Sequence, residues 1–206
     1  LIDKTPHYRQ AVVKALKSLN VHYKGYKWEG GGADGYADSI EGAINLYNRE
    51  PVASAAEWMD REIKVMWNIQ KPDGIIEGWH GDGNFARTTI MYCLWKTKGL
   101  TIRPWRQDVI FGAATDTDSL KIAIRADKAW TGKILFDTPR HKTIMNMPLD
   151  WPRINQFPEW FTAKAEKRYT VLDLTANTQT THTGKQLTEG ITINLQPNTE
   201  KHLLVQ

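Results

Sequence analysis

The spacing of apolar residues changes its period once along these 206 residues, near residue 100, and that change restricts the chain to a helical part followed by a strand-built part. In the first stretch Val12, Val13, Leu16 and Leu19 lie on one side of a helix expected over residues 5–20, opposite Lys14, Lys17 and Ser18. Ile40, Ala43, Ile44 and Tyr47 keep the same period in a second helix, expected over 37–48. Pro51 is a suitable first-turn residue for a third, over 52–70. Ile90, Met91, Leu94 and Trp95 form the stripe of a fourth over 84–98, and Gly99 ends it. Only a short Arg49-Glu50-Pro51 turn joins the second helix to the third, so four antiparallel helices in two hairpins are expected.

Beyond Pro104 the period is two. Leu120 to Arg125, Tyr169 to Leu174 and Ile191 to Leu195 alternate apolar and polar residues, with Asp, Asn, Gly and Thr turns between them. Short strands at such spacing predict an antiparallel β-sandwich, and the fold class is therefore α+β. The domains are expected at residues 1–102, helical, and 103–206, sandwich. Asp150 to Phe161, with two prolines and four aromatics, interrupts the alternation and reads as a long ordered loop.

Two loops carry the chemistry. Trp28-Glu29-Gly30-Gly31-Gly32-Ala33-Asp34-Gly35-Tyr36-Ala37-Asp38 runs into the second helix, and Glu77-Gly78-Trp79-His80-Gly81-Asp82-Gly83-Asn84 into the fourth. With helices alternating in direction, both loops fall at one end of the layer. There they gather carboxylates, a histidine, aromatic faces and glycines, the equipment of a sugar-handling site. Of the nine tryptophans, Trp58, Trp67 and Trp95 sit at helical spacings among apolar residues and are expected in the core, whereas Trp28 and Trp79 lie in polar loops and suit sugar platforms.

A helical-hairpin layer followed by a β-sandwich resembles the C-terminal part of the six-hairpin glycosidase and polysaccharide lyase superfamily. In that superfamily hairpins close an (α/α) toroid and glycans bind at one rim. Gly35-Tyr36-Ala37-Asp38-Ser39 and Gly78 to Arg87 are similar to loop–helix segments of glycan-degradation proteins. The resemblance implies a partial α/α toroid, a carbohydrate substrate and a periplasmic or extracellular location. Four helices cannot close six hairpins, so the N-terminal hairpins lie outside this chain or the helical layer is a smaller one.

Glycoside hydrolysis needs two carboxyl groups across the scissile bond, one protonated and one ionised. Glu29, Asp34, Asp38, Glu41, Glu77 and Asp82 are available, with Asp38 and Asp82 the preferred acid/base pair and His80 an additional general acid or base. The bland reading of Asp38 and Asp82 is helix-dipole complementarity and N-capping. Trp28, Asp34, Tyr36, Glu77, Trp79 and Arg87 are the substrate-binding candidates. Arg87 would hold a uronate carboxylate, or simply pair with Glu77 or Asp82. His80 with Tyr36 would serve a lyase, and a non-catalytic glycan-binding or scaffold portion of a larger protein is the third reading. His7, His22, His141, His182 and His202 read as surface or structural residues.

Several classes are set aside. Gly30 to Gly35 satisfies G-x-G-x-x-G, but no strand precedes it and Asp34 would repel a phosphate, so no dinucleotide and no other cofactor is expected. No metal is expected either, since the spacing of Glu77, His80 and Asp82 matches no strong ligand motif. A net charge of +4 with dispersed lysines and arginines disfavours nucleic acid, and no apolar run is long enough for membrane insertion. Cys93, the lone cysteine, is expected to be buried.

Overall fold

The computed structural model describes residues 5–76, 83–151 and 157–206. The fold is α+β, a helical part followed by an antiparallel β-sandwich. The chain divides into two compact units, Leu1–Cys93 with Trp151–Pro158, and Leu94–Asp150 with Glu159–Gln206.

In the first unit α1 (Pro6–His22), α2 (Ala33–Tyr47) and α3 (Ala53–Trp67) precede α4 (Asn84–Thr97), whose first ten residues belong to this unit. Proline stands at the first position of α1, where its missing N–H costs nothing. Helix α2 begins one turn earlier than its apolar period predicts, at Ala33, because Gly32 in extended conformation serves as the N-cap. Asp34, Tyr36 and Asp38 are therefore helical residues. The core is formed by Ile40 and Ile44 of α2, Trp58, Met59, Ile63 and Met66 of α3, and Met91 of α4, all almost fully buried. Trp67 is half-buried, and its indole N–H donates to Thr89 Oγ1 at 3.0 Å. Only Leu16 of α1 is fully buried, and Val12, Val13 and Leu19 are half-covered. Cys93 is exposed, contrary to the sequence expectation, because it lies on the side of α4 away from Met91 and Tyr92.

Pairings along the helices give their directions. Asp34 and Asp38 meet Asn84, Ala37 meets Thr88 and Glu41 meets Arg87, so α2 and α4 run parallel. Trp67 meets Thr89 while Asp60 meets Tyr92, so α3 runs antiparallel to α4.

The second unit holds a three-stranded sheet in the order β1 (Thr101–Arg103), β4 (Trp130–Leu135), β7 (Ile191–Leu195). A five-stranded sheet takes the order β2 (Val109–Asp116), β3 (Ser119–Ala126), β8 (Thr199–Val205), β5 (Arg168–Asp173), β6 (Thr178–Thr183). All pairings between these strands are antiparallel. Alternation places Ile134, Ile191, Ile193 and Leu195 of the smaller sheet in one core with Leu120, Ile122, Ile124, Val171 and Val205 of the larger. The short helix α5 (Arg140–Thr143) follows β4, and α6 (Gly184–Glu189) links β6 to β7. Thr183 and Gln186 close the start of α6 with a reciprocal capping box.

Two glycines test the backbone in opposite senses. A Cβ on Gly42, exposed inside α2, would meet nothing within 4 Å, so Gly42→Ala should stabilise by ~0.5–1 kcal/mol. A Cβ on Gly184 would stand 1.9 Å from the Lys164 carbonyl oxygen, so Gly184→Ala should destabilise by at least ~1–3 kcal/mol. Urea midpoints moving in opposite directions in the two variants would confirm this.

Candidate functional site

The first turn of α4 lies against a stripe of carboxylates on α2. Asp34, Asp38 and Glu41 recur at helical spacing and so share one face. The Asn84 side-chain amide donates to Asp34 and, at 3.4 Å, to Asp38 Oδ1. Arg87 grips Glu41 Oε2 with two nitrogens, Nε at 2.7 Å and a terminal nitrogen at 2.6 Å. The same terminal nitrogen lies 3.8 Å from Asp38 Oδ1. Below this, the buried Thr88 hydroxyl donates to the Ala37 carbonyl at 3.1 Å, and Ala37 is small enough for α4 to come that close. Glu41 is thus enclosed, its side chain 15 % exposed, while that of Asp38 is 57 % exposed. Beside them Gly83, Asn84, Arg87, Ile90 and Phe157 line an open depression of about 480 Å³.

Arg87 therefore pairs with Glu41 and Asp38, partners 46 and 49 positions away in the chain, rather than standing ready for a ligand carboxylate. Glu77, Trp79, His80 and Asp82 lie outside the described residues, as do residues 152–156 of the proline-rich loop.

The other loop folds as a tight 3₁₀ turn, Trp28–Gly31, in which Glu29 and Gly30 take left-handed conformations. It follows α1 rather than a strand, so its glycines shape a turn and not a phosphate cradle. Gly35 has a packing reason: a Cβ there would meet the Glu29 side chain at 2.8 Å and the Trp28 carbonyl carbon at 3.0 Å. Trp28 is half-buried, stacked on Tyr23 at 5.3 Å between ring centroids and set edge-on to Tyr26 and Trp58. Tyr23 and Tyr26 are the exposed members of this aromatic group. Tyr36 is 5 % exposed, and its hydroxyl donates to the Tyr26 carbonyl at 3.2 Å. Burial, with the charge of Glu62 second, raises its pKa above that of an ordinary tyrosine.

Glu62 escaped sequence reasoning. It is 1 % exposed on α3; Oε1 accepts from Arg61 Nε at 3.1 Å, and Oε2 is buried with no partner among the described residues. Arg61 also donates to Asn20 Oδ1 of α1 at 2.9 Å. Burial raises the Glu62 pKa, and the Arg61 contact only partly offsets it. A glutamate on a helix reads as a solvated residue unless the neighbouring helices are known, so no sequence signal marks it.

The second unit holds another such pair. His141 Nδ1 lies 2.8 Å from Glu159 Oε2, and the His141 backbone N–H donates to Glu159 Oε1 at 2.7 Å. In turn the Glu159 N–H donates to Asp150 Oδ2 at 3.0 Å. The histidine read as surface or structural is thus held by a carboxylate 18 positions away, a distance at which spacing carries no signal. Among the described residues no three His, Cys, Asp or Glu side chains are grouped to hold a metal ion, and no helix is long and apolar enough to cross a membrane.

No family model, curated protein or solved structure matches this chain.

Two outcomes follow from these contacts. Arg87→Ala would leave the enclosed Glu41 carboxylate without its cation and should cost ~1–3 kcal/mol in urea unfolding, with Arg87→Lys recovering only part of the loss. Glu62 has a folded pKa raised above its unfolded value, so its contribution is fully present below about pH 4.5 and is lost as pH rises through the folded pKa. Glu62→Gln should consequently match the parent in acid and exceed it at neutral pH, as urea midpoints across that range would reveal.

Proposed function

We propose that this chain is a carbohydrate-active protein of the helical-toroid-plus-sandwich kind, acting as a glycoside hydrolase on a polysaccharide or oligosaccharide outside the cytoplasm. The observation that carries the reading is the meeting of the Asp34, Asp38 and Glu41 stripe with Asn84 and Arg87. It joins the starts of α2 and α4, and hence the ends of the two tryptophan- and glycine-rich loops, in one compact unit. Carboxylates there are held by directed contacts, the preorganisation that acid/base chemistry on a glycosidic bond needs.

Asp38, the more exposed carboxylate of the stripe, is one member of the acid/base pair; Asp82, two residues before Asn84 in the chain, is the other. His80 assists proton transfer. Arg87 positions Asp38 and Glu41 rather than gripping a uronate. Trp28 with Tyr23 and Tyr26 supplies an aromatic surface for a sugar ring, joined by Trp79, while Asp34 and Glu77 hold hydroxyl groups. The hydrolase reading is favoured over a lyase because Tyr36, the tyrosine a lyase would use, is buried, bonded to a carbonyl, and harder to deprotonate than usual.

A reducing-sugar assay over neutral and uronate polysaccharides, with ultraviolet absorbance of unsaturated products followed in parallel, separates the readings. The expected outcome is new reducing ends without that absorbance, and a loss of about a hundredfold or more in Asp38→Asn at unchanged thermal midpoint. Both signals rising together would make the protein a lyase. Binding without turnover on every polysaccharide would make it a glycan-binding portion.

A further inference from the structure

The inner face of the larger sheet breaks the rule that builds a sandwich. Residues directly opposite one another on paired strands share a face. Ile122 pairs with Leu203 and Ile124 with Lys201; Leu203 also pairs with Asp173, which pairs with Thr178; Val171 pairs with Thr180, and Tyr169 with His182. Ile122, Ile124, Val171, Tyr169 and Leu203 belong to the hydrophobic core. Lys201, Asp173, Thr178, Thr180 and His182 therefore occupy core-facing positions of the sheet. Thr178 and Thr180 are exposed and Asp173, His182 and Lys201 half-buried, so these five polar side chains form an open border to the core on that face.

They border a cavity of about 540 Å³ that also reaches Ile191 to Asn194 of β7, the edge of the smaller sheet. Strand β6 is likewise an edge, and α6, which joins β6 to β7, contributes Gln186 and Glu189 to the lining.

The lining selects its ligand. Lys201 is paired with Asp173, whose carboxylate also accepts the backbone N–H groups of Thr175 and Ala176 at 3.0 and 2.9 Å. Although burial pushes the Asp173 pKa up, Lys201 and these amides outweigh it and hold the group below the usual carboxylate range. With Lys133 and Glu189 the lining holds two charges of each sign, Lys133 Nζ donating to the Glu189 carbonyl at 3.4 Å, so the cleft carries no net charge to select an anion or a cation. Thr178, Thr180 and His182, the last two joined at 2.9 Å, offer hydrogen-bonding groups, while Val171, Leu203, Ile191 and Ile193 offer apolar contact. A ligand with hydroxyls at its rim and C–H groups on its faces satisfies both. Thr178 to His182 spans four strand steps of ~3.3 Å, or ~13 Å, longer than one sugar ring.

We propose that this cleft between β6 and β7 binds a short segment of a neutral oligosaccharide. The site lies wholly in the second unit and does not rest on the hydrolase reading of the first.

Amide chemical-shift mapping on the full chain tests it, with cellohexaose, xylohexaose, mannohexaose and maltohexaose at millimolar concentration and a hexapeptide of alternating threonine and valine as the rival probe. The expected result is a saturable shift with at least one sugar at residues 178–182 and 191–194. The Thr178→Val/Thr180→Val variant, which keeps branched side chains suited to a strand, should weaken that binding about tenfold or more at unchanged thermal midpoint. His182→Gln, which keeps a polar side chain at the same position of the lining, provides a second variant if the first loses stability. Shifts with the peptide alone would overturn the proposal and assign the cleft to strand addition on β7. No shift at these residues with any sugar, or sugar shifts of full size in both variants, would also overturn it. Shifts confined to the helical unit would leave the hydrolase reading standing and remove this one.

Discussion

The helical unit depends on one contact, the seating of the first turn of α4 on α2. Ala37 leaves room, the Thr88 hydroxyl meets its carbonyl, and Asn84 and Arg87 then reach Asp34, Asp38 and Glu41. Parallel helices joined through an intervening antiparallel one bring their starts together. A buried neutral hydrogen bond contributes ~1 kcal/mol and a charged one more, so these contacts hold register as much as they add stability. The same arrangement shapes the chemistry. Glu41 is enclosed by Arg87, and Asp38, one turn away, remains the more exposed carboxylate.

Polar groups inside the two units are handled differently. Glu62 of α3 lies buried with one oxygen unmatched among the described residues, so burial raises its pKa and the unit carries the cost at neutral pH. Asp173 is also largely covered, yet Lys201 and two backbone amides satisfy it and its pKa falls. The balance of burial against hydrogen bonds decides the direction: desolvation outweighs the single Arg61 contact at Glu62, and Lys201 with two amides outweighs it at Asp173.

Much of the architecture was legible. The helical period located α1 to α4 within a few residues, and the two-residue period located β3, β5 and β7, because burial of one face imposes the repeat directly on the residue order. The early start of α2 was not legible, since Gly32 caps it by its backbone conformation, without a side chain that would announce a cap. Cys93 was expected inside and is exposed; an apolar residue type says which residues favour burial, not which side of α4 a neighbour covers. At the site, the carboxylates and Arg87 were singled out, but Arg87 was paired in sequence terms with Glu77 or Asp82 and in three dimensions meets Glu41.

By itself the residue order determined the α+β class, the place where one regime gives way to the other, and the concentration of carboxylates, glycines and aromatics in two loops. These are properties of local pattern, expressed within one or two turns of chain. Tertiary structure alone decided which charges meet. Glu41 with Arg87, His141 with Glu159 and Asp173 with Lys201 are pairs separated by 46, 18 and 28 positions. It also decided that Thr178, Thr180 and His182 lie on the face of the larger sheet that carries the core. Alternation states that they share a face; only the register of β6 on β5 and of β5 on β8 states which face it is, because a shift by one residue would move all three to the opposite face.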